Sequence, residues 1–172
     1  DGDLVLIDSG CELQGYAADI TRTFAVNGKF SEPQAALYNI VLKAQEVAFE
    51  EVKPGGFMSH ANKRAMEVMT QGLLDLGILT GDFDELMAKG ACKEYYMHGL
   101  GHPLGLDVHD VGDMNFPFAA GTVLTVEPGI YLADEGFGVR LEDDIVVTND
   151  GPVNLMEKIP IEADEIESIM NR

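Results

Sequence analysis

Five acidic or imidazole side chains stand at spacings that can bring them together. Asp8 ends the apolar run Leu4-Val5-Leu6-Ile7, and Asp19 follows eleven residues later, a separation that lets a hairpin set two carboxylates side by side. Glu127, in Thr125-Val126-Glu127-Pro128-Gly129, and Glu142, in Arg140-Leu141-Glu142-Asp143-Asp144, repeat the arrangement fifteen residues apart. A carboxylate that follows Val123-Leu124-Thr125-Val126 is desolvated unless it is paired, protonated or bound to a cation. Four such groups drawn together repel strongly, and two divalent ions supply the charge that cancels them. His98, His102 and His109 add three imidazoles within twelve residues. The first two have the spacing of a helical zinc pair, but Gly99, Gly101 and Pro103 oppose a continuous helix there. Each ring is then presented singly, one to metal and the others to substrate. Four carboxylates and one imidazole suit Mn, Co or Zn better than Cu or an iron-sulfur cluster, and paired ions that activate a shared water imply hydrolysis.

Plainer readings stand beside these. Asp8 alone is an ordinary turn residue after a strand, Asp19 can pair with Arg22, and Glu142 can belong to an exposed acidic run. His60 sits on a helix flank and reads as structural.

Positioning the five residues requires two hairpins and a scaffold. Residues 3–9 read as a buried strand ended by Gly10, and residues 16–26 as a second, Thr-rich strand, with the polar stretch 11–15 between them. Ser31 and Gln34 form a capping-box pattern, after which Leu37, Ile40, Val41, Ala44 and Ala48 recur at helical spacing until Pro54-Gly55-Gly56. Ser59 can cap a second helix that runs to Gly77, and a short acidic helix follows over 82–89. Residues 95–112 suit a fixed irregular loop. Two further strands, over 122–132 and 139–148, join as a hairpin across 133–138, and a short amphipathic helix covers 164–171. The order hairpin, helices, His-rich segment, hairpin, helix is an α+β pattern.

Composition narrows the partners. A chain of 172 residues, 46% hydrophobic and 24% charged, makes one domain or a piece of a larger one. Eleven Lys and Arg against thirty Asp and Glu leave a net charge of −19, which repels nucleic-acid backbones and anionic membrane surfaces. Cys11 and Cys92 stand far apart without a CxxC spacing, so neither a disulfide framework nor a thiolate zinc site is expected, and a reducing cytoplasm fits. The opening Asp1-Gly2-Asp3 reads as the middle of a longer protein.

The segments Ile7-Asp8-Ser9-Gly10, Tyr16-Ala17-Ala18-Asp19-Ile20-Thr21-Arg22-Thr23, His98-Gly99-Leu100-Gly101-His102, Val108-His109-Asp110-Val111-Gly112, Glu127-Pro128-Gly129 and Arg140-Leu141-Glu142-Asp143-Asp144 occur in order along nearly the whole chain. Together they resemble the Xaa-Pro aminopeptidase (aminopeptidase P) family of dinuclear pita-bread metallopeptidases. The resemblance implies a pita-bread fold incomplete at its N-terminal side. Residues 1–172 would then be the C-terminal portion of a catalytic domain, without the N-terminal domain and first elements. It implies two divalent ions, Mn foremost with Co or Zn as alternatives. Asp8 would hold one ion, Asp19 and Glu142 would bridge both, and His102 and Glu127 would hold the other. Glu127 would also act as general acid or base, and His98 and His109 would line the substrate site and stabilise the tetrahedral intermediate. Arg140 looks like the family's arginine near the site, although a surface charge is an equally ready account. The implied substrates are peptides with Pro at the second position, and the implied assembly is a homo-oligomer.

Two alternatives share the fold: prolidase, which cuts Xaa-Pro dipeptides, and a binding protein that has lost its metal ligands. The intact set Asp8, Asp19, His102, Glu127 and Glu142 argues against the second. A calcium-binding module would need a DxDxDG loop that the sequence lacks.

Overall fold

The capping box at Ser31 forms. The Gln34 side-chain oxygen accepts the Ser31 N–H at 2.9 Å, and α1 (Glu32–Phe49) runs from that point. The same Gln34 donates its amide to the Gly2 carbonyl at 2.8 Å, tying the start of the chain to the helix. The computed structural model describes residues 2–172. α1 buries Leu37, Val41, Ala44 and Ala48, and α2 (Met58–Asp75) packs on it at Gly72, where an added Cβ would stand 2.7 Å from the Ile40 side chain. α2 starts two residues earlier than expected, with extended Phe57 as its N-cap, so Ser59 lies inside the first turn. Hydrogen bonds between Gly55, Gly56 and Phe118 hold the preceding backbone and allow that early start. α3 (Phe83–Lys89) is capped by Asp82, which accepts the Glu85 N–H at 3.1 Å, and it ends at left-handed Gly90. A single 3-10 turn, Ala91–Glu94, leads into the His-rich segment.

In the first half, β1 (Leu4–Ser9) pairs antiparallel with β4 (Ile20–Ala25), setting Asp8 opposite Thr21. The expected single strand over 16–26 is interrupted. Its first part, β3 (Tyr16–Ala17), folds back on β2 (Glu12–Leu13), and the break falls at Ala18 and Asp19. Asp19 therefore stands just ahead of β4 and not inside a strand. The cause is local: Gly10 passes so close to the break that a Cβ there would meet the Ala18 carbonyl oxygen at 1.7 Å.

The second half is interrupted in the same way. Where two continuous strands were expected over 122–132 and 139–148, four form: β5 (Val123–Val126), β6 (Gly129–Leu132), β7 (Phe137–Arg140) and β8 (Asp143–Thr148). The breaks fall at Glu127-Pro128 and Leu141-Glu142, and Pro128 has no N–H with which to continue a ladder. β6 and β7 make the hairpin, β5 pairs with β8, and β9 (Gly151–Asn154), which the sequence pattern did not suggest, extends the β5-β8 sheet. α4 (Ala163–Met170) closes the chain.

The α+β expectation therefore holds. α1 lies against β5, β6 and β7, and Leu37, Tyr38 and Val41 share one buried core with Leu124, Val126, Ile130, Val139, Leu141 and Ile145. At about 25 cal/mol per Å² of buried apolar surface, this core is the main force that holds helices to strands. Outside the helices, the buried polar residues among the described residues, Asp19, Thr21, Thr23, Thr125, Glu142, Asp143 and Asp144, all lie in or beside β4, β5 and β8. No helix among the described residues is long and apolar enough to cross a membrane.

Candidate metal centre

The strand interruptions bring the two halves together. The Glu142 N–H donates to the Thr21 carbonyl at 3.1 Å, and the Thr23 hydroxyl donates to the Arg140 carbonyl at 2.9 Å. Arg22 fastens the same seam: it donates to the Glu142 carbonyl at 2.8 Å and to Asp143 Oδ1 at 2.6 Å. The pairing of Arg22 with Asp143 removes the plain account of Asp19 as Arg22's partner. Asp19 has to be stabilised by other means.

His102 arrives from the irregular segment, which behaves locally as a strand beside β5. The Thr125 N–H donates to the His102 carbonyl at 2.9 Å, and the Glu127 N–H donates to the Leu100 carbonyl at 2.7 Å. Gly101 permits this approach, since an added Cβ would lie 1.9 Å from the Thr125 carbonyl oxygen. Thr125, fully buried, accepts the His102 N–H at 3.0 Å and donates its hydroxyl to Glu127 Oε1 at 3.2 Å. The His102 Nδ1–H donates to the Pro103 carbonyl at 3.0 Å; a carbonyl can only accept, so Nδ1 carries a proton and, in the neutral ring, Nε2 offers the lone pair.

That lone pair faces carboxylates. Asp19, His102 and Glu142 each offer a donor atom within 4.8 Å of the other two. His102 Nε2 lies 3.5 Å from Asp19 Oδ2 and 3.5 Å from Glu127 Oε1. Asp8 borders the group on the exposed side, where Arg140 pairs with it. Burial raises the Asp19 carboxyl above its ordinary range, and the adjacent Asp8 carboxylate raises it further. Burial pushes Glu142 up to about 8; the Thr21 hydroxyl, donating at 2.5 Å, pulls the other way, and the charges of Glu127, Asp19 and Asp8 add to the rise. Asp144 is pushed up to about 6, chiefly by burial.

A divalent cation fits this donor set. The group combines oxygen donors with one imidazole lone pair held ready by its own second nitrogen, and it gathers more negative charge than Arg140 alone can balance. Asp19, His102 and Glu142 are the residues best placed to hold an ion, with Glu127 and Asp8 at either side.

The remaining histidines divide. His98 does not reach the carboxylates: its Nδ1–H donates to the Gly99 carbonyl at 2.8 Å, and its Nε2 meets the Tyr131 hydroxyl at 2.8 Å. Arg140 in turn donates to that hydroxyl at 3.1 Å, so His98, Tyr131, Arg140 and Asp8 form one chain of contacts. Arg140 is thus not a free surface charge. His109 stacks edge-on against His102, with ring centroids 4.1 Å apart. It also lines an open cleft of about 620 Å³ with Asp8, Asp19, Cys11 and Leu106. His60 is exposed on α2 beside Phe57, remote in role from the cluster. Four residues that matter here had no individual sequence signal: Thr21, Thr125, Tyr131 and Asp144. Only the Thr-rich character of the second strand hinted at the first.

Known proteins share this chain's sequence and fold. The metallopeptidase family M24 profile matches residues 1–149. An Xaa-Pro aminopeptidase of Haemophilus influenzae is 51% identical over 183 residues, covering 99% of this chain and 43% of the relative. One of Escherichia coli K12 is 48% identical, covering 99% of this chain and 41% of the relative. Zinc-substituted E. coli aminopeptidase P in complex with product superposes with a TM-score of 0.97 at 48% identity, over 99% of this chain and 42% of that one. The chain thus spans about two fifths of the length of the relatives it matches. Its strands and helices are those of the corresponding part of the pita-bread fold. With the family profile matched over most of its length, the chain belongs to metallopeptidase family M24.

Proposed function

We propose that this chain is the metal-binding portion of an Xaa-Pro aminopeptidase, an exopeptidase that releases the first residue of peptides whose second residue is Pro. The observation that carries the reading is the convergence of Asp19, His102 and Glu142 donor atoms within 4.8 Å, with Glu127 and Asp8 flanking them. In this reading Asp8 holds one ion, Asp19 and Glu142 serve both, and His102 and Glu127 hold the second. Mn is the proposed metal, with Co and Zn as alternatives of the same donor preference. Such ions, when bound, supply Lewis acidity and a nucleophilic water at neutral pH.

The chain's own residues account for the rest. Glu127 lies beside His102 and takes a hydrogen bond from Thr125, which leaves its carboxylate oriented to accept a proton during attack and return it to the leaving nitrogen. His109, on the cleft wall, is placed to donate to the carbonyl oxygen as negative charge develops. His98 is held by Tyr131 and Gly99 in one orientation, and in this reading it addresses the substrate. Arg140 is held by Asp8 and Tyr131, so its charge is fixed beside the Asp8 carboxylate. Both cysteines are unpaired, which suits the cytoplasmic setting we also propose. The −19 net charge supports peptides over nucleic acid or membrane surfaces as partners. A homo-oligomer remains part of the proposal on resemblance alone.

The test is hydrolysis of an Xaa-Pro dipeptide and of a longer Xaa-Pro peptide, with Mn, Co or Zn added to metal-free protein. Cleavage of the longer peptide supports the aminopeptidase. Cleavage of the dipeptide alone would make the activity that of a prolidase, and cleavage of neither by metal-loaded protein would count against the peptidase reading.

A further inference from the structure

Asp144 is buried, with 1% of its surface exposed, yet its side chain makes a single hydrogen bond. Its Oδ2 accepts the Asp19 backbone N–H at 3.1 Å, across 125 positions of chain. Its Oδ1, equally buried, has no hydrogen-bond partner. Burying a carboxylate with one oxygen unsatisfied costs stability that an apolar side chain of similar size would not. The amide it holds supplies a reason for keeping it. Asp19 lies in the break between β3 and β4, where no strand ladder fixes the backbone.

The two residues before Asp144 show a division of labour. Glu142 accepts the Thr21 hydroxyl and faces the cluster. Asp143 accepts from Arg22 at 2.6 Å and from Asn154 at 2.9 Å, and so secures β8 to β4. Asp144 reaches from the same strand to the candidate ligand in a strand break whose amide finds no backbone acceptor. We propose that Asp144 is a positioning residue: by accepting the Asp19 amide it sets where the Asp19 carboxylate stands relative to Glu142 and His102, and through that placement it tunes the affinity for divalent ions. The inference rests on the ligand reading given under Proposed function and adds to it the part that holds one ligand in place.

The experiment compares Mn binding by the unaltered chain, Asp144→Ala and Asp144→Asn, using calorimetric titration and the number of ions retained after gel filtration. Asparagine keeps an oxygen that can accept the Asp19 amide, whereas alanine does not. The expected result is an affinity about 10-fold or more weaker in Asp144→Ala, as for other groups that orient metal ligands, with affinity largely restored in Asp144→Asn. Melting without metal should shift little in Asp144→Ala, because removing the unsatisfied buried oxygen offsets the cost of leaving the Asp19 amide without its acceptor. Equal Mn affinity in all three chains would overturn the inference while leaving the ligand reading intact. An asparagine variant as weak as the alanine variant would also overturn it, by assigning the effect to charge and not to the accepted amide. An unaltered chain that binds no Mn would overturn the ligand reading, and the inference with it. Should Asp144→Ala fail to fold, exchange of the Asp19 amide proton decides: protection that grows on Mn addition supports the role, and exchange as fast as in an exposed loop overturns it.

Discussion

Raising the pH of the metal-free chain charges Glu142, a group that is 1% exposed and surrounded by other carboxylates. Its carboxyl is pushed from 4.5 to about 8 in the folded chain. Because the folded value lies above the unfolded one, the carboxyl favours the fold while it is protonated. That contribution is complete below about pH 4.5 and is lost as pH rises through about 8. At about 1.36 kcal/mol for each tenfold change in proton affinity, the full excursion comes to about 5 kcal/mol, and relaxation with entry of water reduces what is realised to a few. Asp144, pushed to about 6, acts in the same direction at lower pH. A few kcal/mol is a large part of the 5–15 kcal/mol typical of a domain.

Urea unfolding in excess chelator, followed at about pH 5, 6.5 and 8, reads this directly as a falling midpoint. Glu142→Gln should flatten the fall. The amide oxygen can still accept the Thr21 hydroxyl, but no charge is buried above pH 5. Saturating Mn should reverse the trend in the unaltered chain, since ions bind the deprotonated donors. A metal-free midpoint that stays level or rises from pH 5 to 8 would refute the reasoning, as would a Glu142→Gln chain that declines as steeply as the unaltered one.

Three further outcomes follow from the same geometry. Glu127→Gln should preserve the fold while lowering peptide hydrolysis by roughly 10² to 10⁴-fold, because an amide fills the space beside Thr125 but moves no proton; retention of more than about a tenth of the rate would contradict the role. The melting temperature of the chain should rise with Mn and fall with chelator, and a melt indifferent to both would remove the dinuclear site from it. His109→Ala should lower kcat by about 10² with metal content unchanged, whereas His102→Ala should lower both; loss of an ion from the first variant alone would exchange their assignments.

Much of this site could be read in the sequence because its chemistry depends on residue type at strand spacing. Asp8 and Asp19, like Glu127 and Glu142, are separated by distances that suit hairpins, and glycines around His98 and His102 excluded a helix that the structure also lacks. α1 was legible for a similar reason: Ser31, Gln34 and the apolar positions after them act within a few residues of one another. Thr125, Tyr131 and Asp144 were not, since each acquires its role from a partner more than twenty residues away, and no local pattern encodes such register. β9 was missed because Gly151-Pro152-Val153-Asn154 carries turn residues and weak strand propensity; its place beside β8 is tertiary.

The interruptions in the strands carry a physical lesson of their own. Periodicity predicted continuous strands through Asp19, Glu127 and Glu142, and the structure breaks the chain at each of these points. A regular strand sends successive side chains to opposite faces and commits every N–H to its ladder. A carboxylate that must turn toward a shared centre needs its backbone released from that alternation, and the released amide then needs another acceptor. For Glu127 the acceptor is the Leu100 carbonyl, for Glu142 the Thr21 carbonyl, and for Asp19 the Asp144 side chain. Apolar alternation resumes on either side of each break, so a periodic reading passes over it. The disagreement between pattern and structure is concentrated where the chain departs from its own local preference to gather charge.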